Sequence, residues 1–174
     1  VLFRSGLFLN LLAKSVFTHH LNFEELRYLG VMQRLAIGYG VTSLVAITVK
    51  HKYFPAIILV TLAVYFLLLA MGDGFNLSAT NIVARFDVWA LGTSHMYHDG
   101  GMAFDPEGLL STLPAVCHVM VGFYCGKLLF SAKDNDEKIQ RLFLVGTILT
   151  FAGFLLSYGC PINKKVWSPT FVIT

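Results

Sequence analysis

Charge is what this sequence has least of. Asp, Glu, Lys and Arg make up 13% of its 174 residues, where a water-soluble domain carries roughly 25%. That is too little to cover a surface in water, and 56% of the residues are hydrophobic. The composition excludes an ordinary soluble domain and makes the bilayer the main solvent. A basic patch is also missing. The net charge of +3 is small and spread along the chain, which argues against nucleic acid as a partner. Cysteine is sparse: Cys117 and Cys125 lie in one apolar run and Cys160 ends another. That odd count without metal-ligand spacing predicts buried small residues, not a disulfide framework or a metal centre. No internal repeat, low-complexity segment or glycine-rich phosphate loop stands out.

What is present is a series of long apolar runs. A bilayer span needs about 20 mostly apolar residues. Residues 31–49 qualify with one charge, Arg34, and 54–71 with none. Residues 109–130 hold His118 in mid-run and Lys127 near the end, and 142–160 are again uncharged. Residues 6–17 look like the tail of another span, interrupted by Lys14, and the run after Trp167 opens a further one. The expected fold is therefore all-α: a multi-pass transmembrane helical bundle, about five to six spans of a larger protein. The sequence starts on Val1 and stops inside an apolar run at Phe171 to Thr174, so it is expected to be part of a longer chain. Its first five residues back-translate to the tail of a common sequencing adapter. Residues 1–5 are accordingly expected to be an artefact, with the membrane domain occupying 6–174.

The connections alternate in character. Lys50-His51-Lys52 and residues 131–141 are short and basic, whereas 72–108 carries five acids and a single Arg, Arg85. Lys and Arg favour cytoplasmic loops. The loop 72–108 is then extracytoplasmic, sharing its side with 18–29 and 159–168, although Lys164 and Lys165 run against that orientation. Asn22-Phe23-Glu24-Glu25 reads as a capping box with Leu21 and Leu26 as a hydrophobic staple. Asp105 before Pro106 reads as a cap followed by a proline at the first helical position. Pro114 should kink its span, and Gly122 with Gly126 forms a small-xxx-small pattern for close helix packing.

Several polar residues can carry chemistry, each with a plainer reading beside it. Gln33 and Arg34 lie about one turn into a span. Such an arginine either snorkels to the interface or holds a phosphate or carboxylate bidentately. His95, in His95-Met96-Tyr97-His98-Asp99, is either solvated or a general base for an attacking amine. A metal site from His95, His98 and Asp99 has weak spacing. Asp105 and Glu107 account for themselves as helix caps complementing the dipole, and alternatively orient a sugar hydroxyl or a histidine. His118 is a bundle-bonded histidine or a relay. Asn163-Lys164-Lys165-Val166-Trp167-Ser168 reads as an interfacial anchor or as an anion-binding segment. The triplet Asn76-Leu77-Ser78 fits the glycosylation pattern, which is frequent by chance.

Three of these segments together resemble the heparan-α-glucosaminide N-acetyltransferase family and its bacterial relatives, which are polytopic membrane acyltransferases. They are Leu29-Gly30-Val31-Met32-Gln33-Arg34-Leu35, then His95-Met96-Tyr97 leading to Phe104-Asp105-Pro106-Glu107-Gly108-Leu109-Leu110-Ser111-Thr112, and Pro161-Ile162-Asn163-Lys164-Lys165-Val166-Trp167-Ser168. The resemblance extends from Asn10 onward, and its middle and last segments are the more specific. It implies acetyl transfer from acetyl-CoA to an amino sugar such as terminal glucosamine, by an integral protein of the bacterial inner membrane. The histidine proposed as catalytic in that family falls upstream of these segments, so the fragment alone is expected to be inactive. His95 is the candidate base within the chain, with Arg34, Tyr97, Asp105, Glu107, Asn163 and Lys164 as substrate-binding candidates and no metal. The implied partners are the bilayer and the amino-sugar acceptor, with homo-oligomerisation left open. The competing readings are a transporter of a sugar or small anion, with Arg34 and His118 on its pathway, and a membrane scaffold packing through Gly122 and Gly126. A transporter should show paired half-repeats, and a scaffold leaves the three polar segments unexplained.

Overall fold

In the computed structural model, residues 1–18, 23, 26–78 and 80–174 are described, apart from the side chains of 17 and 18. Among the described residues seven α-helices follow one another: α1 (Leu2–Thr18), α2 (Val31–Thr48), α3 (Phe54–Met71), α4 (Ile82–Leu91), α5 (Leu109–Ser131), α6 (Asn135–Leu156) and α7 (Pro169–Ile173). The fold is an all-α bundle. Among the described residues four helices, α2, α3, α5 and α6, are long and apolar enough to cross a membrane. α1 has 17 residues and includes Arg4 and Lys14, and α7 has five, so neither meets that measure among the described residues. The outer faces are apolar and uncovered, with Leu59, Val60 and Leu67 on α3 and Phe143, Phe151 and Leu155 on α6 exposed. Such faces suit lipid, since in water they would form patches of a size that soluble monomers seldom carry.

α2 packs on both α1 and α5, and α5 also packs on α3, so α5 sits at the centre of the bundle. The close approach of α2 and α5 depends on Gly38, where a Cβ would lie 3.0 Å from Val119 Cγ2. Gly122 and Gly126 do not serve this purpose. A Cβ at either position meets nothing within 4 Å, so the expected packing face is open within the chain. Pro114 is buried inside α5, which continues without interruption from Leu109 to Ser131. All three cysteines are free, with Cys117 and Cys160 buried.

Two boundaries differ from the apolar pattern. α6 begins at Asn135, ahead of its apolar run. Asp134 caps it through the Glu137 amide (2.7 Å), and Arg141 pairs with Glu137 one turn on. These contacts extend the helix into charged sequence. The segment 72–108 is structured as well. Asn81 caps α4 by accepting from the amides of Val83 (2.8 Å) and Ala84 (3.4 Å). A 3₁₀ turn at Thr93–His95 follows, then a hairpin of β1 (His98–Asp99) and β2 (Met102–Ala103). Its turn, Gly100-Gly101, has φ of +60° and +85°, the left-handed pair that a type I′ turn demands and glycine supplies.

The expected capping by Asp105 is not what forms. α5 starts three residues beyond Pro106, with Gly108, which has no side chain to cap with, in the cap position. Asp105 is drawn elsewhere, and Asp87 on α4 supplies the cap instead (2.9 Å to the Leu109 amide and 3.0 Å to that of Leu110). The proposed capping box at 22–25 lies outside the described residues, apart from Phe23. The largest core cluster joins Tyr65 and Leu69 of α3 to Val83 and Ala84 of α4, Phe104, Leu110 and Val166. The core thus concentrates at the end of the bundle where the polar segments fold over the helices.

Candidate functional site

Residues 26–34, 87–111 and 163–168 meet at that end. The opposite end carries the basic turns, where His51 and Lys127 contact each other (2.6 Å). The first element of the site is a latch centred on Arg27, just before α2. Its Nε donates to Asp105 Oδ2 (2.9 Å) and its Nη2 to Asp105 Oδ1 (2.5 Å) and Glu107 Oε2 (2.5 Å). Burial works against the Arg27 charge, but the bonds and charges of Asp105 and Glu107 outweigh it and hold the guanidinium above its usual pKa. Asp105 also accepts from the Tyr97 amide (3.1 Å) and the Glu107 amide (3.0 Å). A carboxylate offers about four lone-pair sites, and these four bonds use them. Asp105 therefore joins three segments instead of facing outward. Tyr97 is half exposed, its ring 5.3 Å from the Arg27 guanidinium.

The second element is Arg34, in the first turn of α2. It does not snorkel; it is buried. Its Nη2 donates to the Pro106 carbonyl (2.5 Å) and to Ser111 Oγ (2.5 Å), and its guanidinium lies 4.6 Å from the centre of the Trp167 ring. No carboxylate pairs with it among the described residues. Nε and Nη1 have no protein partner there, nor does the buried Nε1 of Trp167. A buried unpaired donor is costly, so these N–H groups call for an acceptor such as a ligand oxygen or a water. Trp167 itself holds a left-handed backbone at φ +52°. For a bulky side chain that costs about 1–3 kcal/mol and persists only when its surroundings enforce it. Tyr65 contributes by donating to the neighbouring Val166 carbonyl (2.5 Å).

The third element is His95. Its Nδ1 lies 2.9 Å from the Leu26 carbonyl, which can only accept, so Nδ1 carries a proton, and in the neutral ring the lone pair is on Nε2. Tyr28 stacks on the ring at 4.0 Å and 12°, with its hydroxyl 3.3 Å from Nε2. The Tyr28 amide closes the arrangement by donating to the His95 carbonyl (3.2 Å). Beside this turn, Lys14, Thr93, Ser94, Met96 and His98 line a cavity of about 400 Å³.

The remaining candidates take other places. Asn163 accepts from the Lys165 amide (2.9 Å), holding its own turn, and Lys164 is exposed. Their segment reaches the site through Trp167, through Val166 and through Lys165, which forms an ion pair with Asp99. Among the described residues no cluster of three His, Cys, Asp or Glu could hold a metal ion. His118 is exposed on α5, 6.2 Å from the Trp167 ring, without a hydrogen bond among the described residues; it is not the bundle-bonded histidine expected.

Arg27, Tyr28, Asp87 and Ser111 were not legible as site residues. Asp87 had a signal: it stands between Phe86 and Val88 in an apolar stretch, and a fully buried carboxylate needs a reason. Burial pushes its pKa up to about 6 despite the Leu110 and Leu109 amides, which favour the charged form.

The chain is similar to heparan-alpha-glucosaminide N-acetyltransferase of Mus musculus, 31% identical over 104 residues, covering 48% of this chain and 15% of that protein. The enzyme of the same name from Homo sapiens is 29% identical over 104 residues with the same coverage. The relationship is a distant one. The chain spans about 15% of the length of these curated relatives. No protein-family model matches the chain.

Proposed function

We propose that this chain forms part of the site of a membrane acyltransferase that carries the acetyl group of acetyl-CoA to the amine of an amino sugar such as terminal glucosamine. One observation carries the reading: His95, the Arg27–Asp105 latch and the half-paired Arg34 gather at one end of a membrane bundle. The distant likeness to N-acetyltransferases supports the reaction class. In the proposed step the amine nitrogen attacks the acetyl carbonyl carbon, and His95 Nε2 takes the proton that the nitrogen sheds. The C–S bond then breaks and CoA leaves as the thiolate, which the imidazolium reprotonates. The free N–H groups of Arg34 bind an oxygen of the acyl donor. Tyr97 and Glu107 border the acceptor, and Asp105 keeps the loops in register. Most of the gain comes from holding thioester and amine together.

The test is retention of labelled acetyl-CoA by membranes holding the completed reading frame. Saturable retention, displaced by CoA, supports the acyltransferase. A well-folded protein that retains no acetyl-CoA but accumulates a sugar or anion in vesicles moves the reading to a transporter.

A further inference from the structure

Asp87 is the least expected group in the molecule. It is fully buried, charged in its ordinary form, and carried on α4, outside the membrane-spanning helices. Its Oδ1 accepts from the amides of Leu109 and Leu110, the first two residues of α5. A helix N-terminus leaves such amides unpaired, and capping normally comes from the residue immediately before the helix. Here that residue is Gly108, and its missing side chain makes the arrangement possible. A Cβ at Gly108 would fall on Asp87 Oδ2. Among the described residues Oδ2 has no hydrogen-bond partner, so the carboxylate is held there by its cap bonds and by packing.

The consequence lies one turn further along. The start of α5 fixes Ser111, whose hydroxyl receives Arg34 Nη2, and it closes the turn whose Pro106 carbonyl receives the same nitrogen. Every protein hydrogen bond to the Arg34 side chain among the described residues therefore depends on where α5 begins. The other ionisable groups near Asp87 come from each surrounding element: Arg34 on α2, Tyr65 on α3 and Asp105 ahead of α5.

We propose that Asp87 is a positioning residue of the site, capping α5 from α4 so that Arg34 presents its unpaired Nε and Nη1 to an oxygen acceptor of the acyl donor. The role of Arg34 rests on the function proposed above; the cap does not. Asp87→Asn keeps a carbonyl oxygen for the two amides, whereas Asp87→Ala keeps none.

The experiment uses the complete protein in membranes, comparing wild type, Asp87→Asn and Asp87→Ala by amide hydrogen exchange and by acetyl transfer from acetyl-CoA to glucosamine. Exchange at Leu109 and Leu110 speeds up in Asp87→Ala alone. Asp87→Ala loses on the order of a hundredfold in kcat/KM for acetyl-CoA, as expected for a group displaced by about 1 Å. KM for the amine stays near wild type, and Asp87→Asn recovers most of the loss. Equal protection of Leu109 and Leu110 in all three proteins overturns the cap. Equal losses in Asn and Ala, or a wild-type kcat/KM in Ala, overturn the positioning role. If wild type transfers no acetyl group, the acyltransferase reading and the role of Asp87 in it fall together, and exchange still decides the cap. If Asp87→Ala does not fold, accelerated exchange in Gly108→Ala, which crowds the same carboxylate, supports the cap, and unchanged exchange overturns it.

Discussion

Single residues set the site by competing for a few acceptors. Asp105 lies in sequence where a helix cap belongs, yet a bidentate guanidinium outcompetes the amides of α5 for its oxygens. Charge-assisted paired bonds are roughly twice as strong as neutral ones. Removing Arg27 leaves a fully buried carboxylate without its cation, held only by the Tyr97 and Glu107 amides, because the Asp105 side chain has no exposure. Arg27→Ala is therefore expected to cost on the order of 3 kcal/mol, read as a lower thermal midpoint in detergent. Arg27→Lys should recover only part of it, since an ammonium cannot reproduce the fork. His95 is held in one tautomer by the Leu26 carbonyl, and that bond was invisible to sequence because it crosses 69 positions. What sequence did show was that a histidine stands at this loop, not which nitrogen is free.

At the scale of elements, α4 and α5 act as one unit. Asp87 binds its proton more tightly in the fold than in the unfolded chain, since burial lifts its pKa from 3.8 to about 6. The stability it contributes is therefore fully present below pH 3.8 and is lost as pH rises through about 6. Thermal midpoints of wild type should fall across that window, and those of Asp87→Asn should lose that component of the slope. Gly108→Ala drives a methyl group into the same carboxylate. It should destabilise by roughly 1–3 kcal/mol, the usual range for overpacking, in the same midpoint assay. The long helices were legible because uninterrupted apolar runs leave few alternatives: α3 matches its run at both ends. α4 was not, because its ten residues sit inside a long polar-rich connection. Its signals, an Asn81 cap and apolar residues at helical spacing, were short and easily read as loop. The start of α6 was missed for the opposite reason, since capping and an i,i+4 pair made helix out of charged sequence.

For the whole molecule, the arrangement divides the bundle into a basic end and an end that carries the site. Lys50, Lys52 and Lys133 mark the first; His95, Arg27 and Asp105 mark the second. The positive-inside tendency predicts that the basic end faces the cytoplasm. A cysteine introduced as Thr93→Cys should then react with an impermeant thiol reagent from outside intact cells, and Lys133→Cys only after permeabilisation. The reverse pattern would overturn the orientation. The sequence predicted, from the alternation of basic and acidic connections, that three polar segments share one side of the membrane. It could not show that Arg34, Pro106, Ser111 and Trp167 converge, because that contact arises from α2 meeting α5 at Gly38 and from an unusual backbone at Trp167.

The most direct measurement is turnover of labelled acetyl-CoA with glucosamine by membranes holding the completed protein, wild type beside Arg34→Ala and His95→Ala. Wild type should place label on the sugar amine. His95→Ala should lose roughly 10²–10⁴-fold in kcat, the usual contribution of a general base, and Arg34→Ala should use acetyl-CoA less well. Wild-type turnover in both variants, or none in well-folded wild type with any amino sugar, would contradict this reading.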